Sequence, residues 1–266
     1  GMYTAGYYPH NYDFLAFATM MIGRGDESID AANEVSSLLP EELFGSPGMD
    51  FLQHWSMRPQ LFRIRFERWR EIMEVPEPAA DRPHARAIWH YARGRAEAAT
   101  GREASAGTEL DELRTILGQG DGGRLTGLRM EFNRSIDLVA VAERVLTGRL
   151  AAAQGDAEAA VAALREAVAL EDALLYGEPP EWSVPARQDL GEVLLEAGRP
   201  GEADAVFLED LQRFPSNVWS LRGRVHALRA LGRTQEADQV LAELQRVWEG
   251  EGPPLRPMEA GASRVP

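Results

Sequence analysis

Small and apolar residues return at helical spacing along most of this chain, with charged residues opposite them. The segment from Val184 to Asn217 shows the arrangement most clearly. Leu190 and Gly191, then Ala203 and Phe207, mark the packed sides of two successive helices. Glu202, Asp204 and Glu209 fall on the outer side of the second helix, as a solvated face. Gly198 lies between the helices, where a helix end favours the left-handed conformation that glycine adopts without steric cost. Pro215 stops the second helix and biases Phe214 away from helical geometry.

The pattern recurs. Gly198 and Gly232 are 34 residues apart, and Gly155 occupies the same slot. Each is followed five residues later by an alanine, Ala160, Ala203 or Ala237. Gly148 precedes Gly155, and Gly191 precedes Gly198, by seven residues. With the turn glycine at position 15 of a 34-residue unit, positions 8 and 20 are where the two helices touch, so both must be small. This is the mark of a tetratricopeptide array, two helices per unit. Gly23, Glu67 and Gly101 take the same slot further upstream. The predicted fold is therefore all-α, a right-handed α-solenoid of about six tetratricopeptide-like helix-turn-helix units. These lie near residues 9–40, 51–78, 84–117, 134–175, 184–217 and 218–249. They form one superhelical domain over 1–250, followed by a proline-rich, flexible tail at 251–266. One unit alone leaves a hydrophobic side bare, so stability comes from stacking neighbours.

Three places depart from the repeat. Unit two is degenerate: its first helix carries Leu61, Phe62, Ile64 and Phe66 and is started or kinked by Pro59, and its short second helix is cut by Pro76 and Pro78. The aromatic group Trp55, Phe62, Phe66 and Trp69 reads as core. Gly118 to Gly123 spells G-x-G-x-x-G, but it follows a helix and not a strand, so it reads as a loop and not as a dinucleotide site. After unit four comes the insertion Tyr176-Gly177-Glu178-Pro179-Pro180-Glu181-Trp182. Its paired prolines stiffen it, and Tyr176 and Trp182 gain from docking, so it is expected to be ordered against the groove edge beside units four and five.

Composition removes several function classes. The 266 residues contain no cysteine, which excludes disulfides and thiolate chemistry. All 28 basic residues are arginine, so no lysine exists to complete a phosphate-binding P-loop. A net charge of −14 argues against a nucleic-acid partner. No apolar run approaches the roughly 20 residues needed to span a membrane. A cytoplasmic protein without a cofactor is expected. No G-x-S-x-G or H-E-x-x-H occurs, and no catalytic residue is assigned.

Three segments, Tyr8-Pro9-His10-Asn11, Ala87-Ile88-Trp89-His90-Tyr91-Ala92-Arg93-Gly94 and Tyr176 to Trp182, resemble a bacterial family of uncharacterised tetratricopeptide proteins. The resemblance covers nearly the whole chain. It implies an all-helical solenoid and no particular reaction. Longer relatives carry further helical repeats before the Tyr-Pro-His-Asn segment, so the resemblance leaves this chain to be read as a carboxyl-terminal portion or a fragment.

Positions 2, 5, 9 and 12 of the first helix face the concave groove in such arrays. They map here to His10, Asp13, Tyr91, Arg95, Val145, Arg149, Gln188, Glu192, Trp219, Arg222, His226 and Arg229. The arginines suggest a groove of opposite sign to the acidic surface, which would accept an acidic peptide segment or a carboxylate-bearing small molecule, with Trp219 supplying apolar contact. The leading expectation is thus a non-catalytic protein-interaction scaffold with Tyr91, Arg95, Arg149, Gln188, Glu192, Trp219, Arg222, His226 and Arg229 as ligand residues. The plainer reading is that these arginines pair with glutamates of neighbouring helices. The alternative function is a metal-dependent or small-molecule-binding protein or enzyme, with His10, Asp13 and His90 as candidate ligands.

Overall fold

The computed structural model describes residues 7–118 and 122–251. Among these are fourteen α-helices and no strand, only one antiparallel bridge between Arg129 and Arg134. Helices α1 (Tyr8–Met21) and α2 (Gly25–Ser37) pack as a hairpin. Next come α3 (Leu52–Ser56), α4 (Arg58–Arg65) and α5 (Trp69–Glu74). The single first helix expected in unit two is therefore broken into α3 and α4, and Pro59 sits in the first turn of α4, where no intrahelical N–H is needed. Four hairpins follow: α6 (Pro83–Ala99) with α7 (Glu103–Gly118), α9 (Ser135–Ala153) with α10 (Ala157–Asp172), α11 (Ala186–Glu196) with α12 (Pro200–Arg213), and α13 (Val218–Ala230) with α14 (Thr234–Val247). A short α8 (Gly122–Gly127) lies before α9. Consecutive hairpins stack through α6 on α9, α10 on α11 and α12 on α13.

The turn slots behave as one set. Gly23, Glu67, Gly101, Gly155, Gly198 and Gly232 all have positive φ, from 58° at Glu67 to 87° at Gly23. At each, the slot residue's N–H reaches the carbonyl three residues back, and the next N–H reaches five back. At Gly198 these are Gly198 to Leu195 (3.0 Å) and Arg199 to Leu194 (2.8 Å). This paired closure satisfies carbonyls that a helix end would otherwise leave open. Glu67 makes it without glycine, at a cost of roughly 1–2 kcal/mol.

Phe207 shows why small residues recur on the packed faces. Its ring is 1% exposed and lies between Gly191 on α11 and Gly223 on α13. A Cβ added at either would fall 2.4 Å or 2.3 Å from the ring. In the first hairpin, Ser28 at position 20 donates its hydroxyl to the Ala16 carbonyl at position 8, at 2.8 Å. As expected, Pro215 follows the end of α12, and Phe214 is non-helical, at φ −124° and ψ 79°. Of the expected loop Gly118 to Gly123, Gly118 ends α7 and Gly122 opens α8. Residues 119–121 and, in the expected tail, 252–266 lie outside the described residues.

The first and last hairpins meet. The Trp219 indole N–H donates to the Met20 carbonyl (3.0 Å), and the Glu249 N–H donates to the Ile22 carbonyl (2.9 Å). Phe66 of the second unit lies edge-on to Trp219, with ring centres 5.4 Å apart, and belongs to the apolar clusters of both ends. Trp248 covers the backbone of Gly23, where a Cβ would fall 2.5 Å from its ring. A narrow seam of aromatic side chains and two main-chain acceptors thus joins the ends of the helix array.

Candidate functional site

The expected groove residues divide into two groups. The first lies inside the array. Arg95 on α6 bonds Asp189 on α11 at 2.7 and 3.3 Å and the Tyr91 hydroxyl at 3.0 Å. Burial pushes Tyr91 up to about 12, so its hydroxyl stays neutral as it accepts from Arg95. Burial alone would raise Asp189, but Arg95, then Arg149 and Arg65, hold its carboxyl below the usual range. Arg149 on α9 pairs with Glu192 (3.4 Å) and Asp189 (3.6 Å). Gln188 donates to Asp210 (3.0 Å) and Asn217 (3.4 Å). Tyr91, Arg95 and Gln188 are buried and do not open onto solvent; Arg95 ties α6 to α11, and Gln188 ties α11 to α12. The plainer reading, pairing with glutamates of neighbouring helices, describes Arg149, which bonds Glu192, whereas the partner of Arg95 is Asp189. Asp189 escaped the sequence reading because nothing about a single acid in a helix reveals that it faces three guanidiniums.

The second group belongs to α13. Trp219 is 7% exposed, Arg222 and His226 are half-buried, and Arg229 is exposed near the helix end. Trp219 carries two guanidiniums, Arg222 at 4.8 Å and Arg65 at 5.0 Å from its ring centre. Trp219, Arg222 and Arg65 border a cavity of about 530 Å³ at the seam, walled also by Phe66, Arg68, Arg24 and Trp248. Five acids line it as well: Asp26, Glu27, Glu67, Glu249 and Glu251. Asp26 is bonded to Arg68, and Arg24 holds Glu27 (2.8 Å) and Glu249 (3.6 Å). Arg65 was missed because, in the register that Glu67 fixes, it lies two residues before the turn slot and outside the positions 2, 5, 9 and 12 taken to face the groove.

His10, Asp13 and His90 do not converge. His10 lies edge-on to Phe14 (4.8 Å). Asp13 is fully buried against Arg58 (2.7 Å), and His90 bonds Glu109 (2.7 Å), which Arg93 also holds (2.7 Å). Among the described residues, no group of three or more histidines and acids is placed to hold a metal. The aromatic group of unit two serves as core at Trp55 and Phe62, while Phe66 turns to the cavity.

The insertion is ordered, but its dock differs from expectation. Trp182 is 2% exposed and lies 5.4 Å from Tyr91, whereas Tyr176 is 78% exposed. The segment rests on residues from α3, α4, α6 and the turn before α9, not on an edge beside units four and five. Its Glu178–Pro179 bond is cis. The Glu181 carboxylate accepts from the Phe132 and Asn133 N–H groups at 2.9 and 3.0 Å, and the Glu181 carbonyl accepts from Arg58 (2.8 Å) and His54 (2.8 Å). That carbonyl fixes a direction of donation. His54 Nε2–H donates to it, so Nδ1 of neutral His54 accepts from His84 Nε2–H at 2.9 Å. His84 Nδ1 in turn accepts from the Ser135 hydroxyl at 2.7 Å. Burial lowers His84 to about 3, and burial, then Arg58, lowers His54 well below its ordinary value. A buried Ser–His–His chain that ends on a carbonyl has no open nucleophile; it is a brace. The Tyr176 to Trp182 segment was the only sequence sign of it.

The chain matches no model of a known protein family, and no curated protein matches it.

Proposed function

We propose that this chain is a right-handed α-solenoid of about six tetratricopeptide-like units, of the bacterial kind its three segments resemble, and a non-catalytic scaffold that binds an acidic segment of a protein partner. The six left-handed turn closures at the repeat slots support the repeat reading. The observation that carries the binding reading is the α13 face, where Trp219 lies under two guanidiniums beside an open cavity. Arginine grips carboxylates with paired hydrogen bonds and stacks on tryptophan, and both features suit a segment that mixes acidic and apolar residues. With Tyr91, Arg95 and Gln188 spent on internal bonds, Trp219, Arg222, His226 and Arg229 are the predicted groove residues to which the reading contracts. The test is titration with anionic and cationic peptide pools, on the wild type and on Arg222→Ala/Arg229→Ala. Preferential binding of the anionic pool, weakened in the double variant, is the expected result. Equal binding of both pools, or none, would remove the proposal.

A further inference from the structure

Arg65 is the feature of the seam that the fold leaves unexplained. Its side chain is 5% exposed, it borders the cavity, and it makes no hydrogen bond among the described residues. Its Nε–H is buried without an acceptor. Its one ion-pair contact, Glu192 at 3.7 Å, is too long for a hydrogen bond, and Glu192 already serves Arg149. Buried guanidinium groups are ordinarily saturated, because an unmet charged donor costs more than a neutral one. Arg95 and Arg149, in the same interior, do have hydrogen-bonded carboxylates. Arg65 therefore holds unspent donor capacity at the wall of a space large enough for a ligand.

The surroundings narrow the chemistry. On one side Arg65 and Arg222 stack on Trp219, with Phe66 and Trp248 beside them; this is a cationic and apolar wall. On the other side Asp26, Glu27 and Glu249 are taken up by Arg68 and Arg24, while Glu67 and Glu251 stand exposed at the rim. Exposed acids at the mouth repel a ligand of high negative charge, such as a polyphosphate. A single carboxylate with an adjoining apolar group meets both walls.

We infer that the seam cavity is a binding site for one carboxylate with a neighbouring apolar side chain, gripped by Arg65 and Arg222 and stacked along Trp219. This deepens the scaffold reading and rests on it for the source of the ligand, a partner's peptide. The carboxylate is either a side chain or a chain terminus. Because the cavity is walled by the first, second and last hairpins, an occupant also bridges the two ends of the array.

The test uses the full chain and three capped tripeptides: acetyl-Leu-Glu-Leu-amide, acetyl-Leu-Gln-Leu-amide and acetyl-Leu-Gln-Leu with a free carboxylate. The indole N–H resonance of Trp219 reports binding. The expected result is a saturable shift with one or both of the carboxylate peptides, the responding one naming the source, and at least about tenfold weaker binding of the neutral peptide. Arg65→Gln and Arg222→Gln should each weaken the carboxylate peptide by a similar factor. A neutral peptide that binds as well as the others overturns the proposal, and so does binding that survives both substitutions. Should Arg65→Gln fail to fold, Arg222→Gln, at a half-buried position, still decides. Failure of the site is distinguishable from failure of the scaffold reading. Anionic-pool binding that responds to Arg229→Ala alone would leave the scaffold and remove the cavity, whereas absence of any pool binding would remove the scaffold.

Discussion

Gly223→Ala is expected to change sign with the residue at 207. Gly223 lies inside α13, where alanine is the better helix former by about 1 kcal/mol. Taken alone, the substitution should stabilise. But the new Cβ would fall 2.3 Å from Phe207 Cζ. The ring has no free direction of retreat, because Gly191 faces it with the corresponding gap of 2.4 Å. Overpacking of this kind costs about 1–3 kcal/mol, so the net effect in the wild type should be neutral to about 2 kcal/mol destabilising. Phe207→Ala by itself should cost about 3–5 kcal/mol, because a ring with 1% exposure leaves a cavity. In that background the obstruction is gone, and Gly223→Ala should stabilise by about 1 kcal/mol. The coupling between the two sites is then about 1–3 kcal/mol. Urea unfolding of the wild type, the two single variants and the double variant, followed by circular dichroism, measures it. If Gly223→Ala had the same effect in both backgrounds, the wedge account of the small residues would be wrong.

Three further outcomes follow from the same structure. Glu67→Gly should stabilise by about 1 kcal/mol in thermal melts, since it relieves the one non-glycine turn closure at φ 58°; a loss of stability would deny that strain exists there. Trp182→Ala should cost about 3–5 kcal/mol, while Tyr176→Ala should stay within about 0.5 kcal/mol, and proteolysis within 176–182 of the folded chain should be slow; comparable losses for the two variants would contradict the observed dock. Because the folded chain refuses protons at His54 and His84 that the unfolded chain accepts below about 6.5, each histidine contributes stability that is whole above that pH. That contribution falls by about 1.4 kcal/mol per pH unit toward about 3 for His84. Glu171, raised to about 8 by burial, acts in the opposite sense as pH rises from about 4.5, so the comparison must be with His84→Gln. That variant should show a shallower acid limb in urea midpoints, and an unchanged limb would refute neutral burial of His84.

The chain alone determined the paired helices of the regular units and the left-handed turns, though not the break between α3 and α4 or the short α8, because these pairs and turns rest on interactions within 34 residues. A glycine that recurs with alanine five residues later, and a proline that ends a helix, act through local sterics, and local sterics are written in local sequence. Even Glu67 was placed by spacing alone, against its own residue type. The core role of Phe207 was legible for the same reason, since it packs between Gly191 of its own hairpin and Gly223 of the next. What the chain did not display is which polar groups neutralise one another across the interior. Arg95 and Asp189 are 94 residues apart, Arg58 and the Glu181 carbonyl 123, and Trp219 and the Met20 carbonyl 199. Helical periodicity places an arginine on a face but carries no information about the carboxylate that the stacking brings opposite it. The tertiary structure therefore decided that Arg95 is an internal brace, that the 176–182 segment docks on α3, α4 and α6, and that the ends of the array meet. It also decided that Arg65, on the least regular unit, is left facing an open cavity, because only the closure of the first hairpin onto the last creates the wall it belongs to.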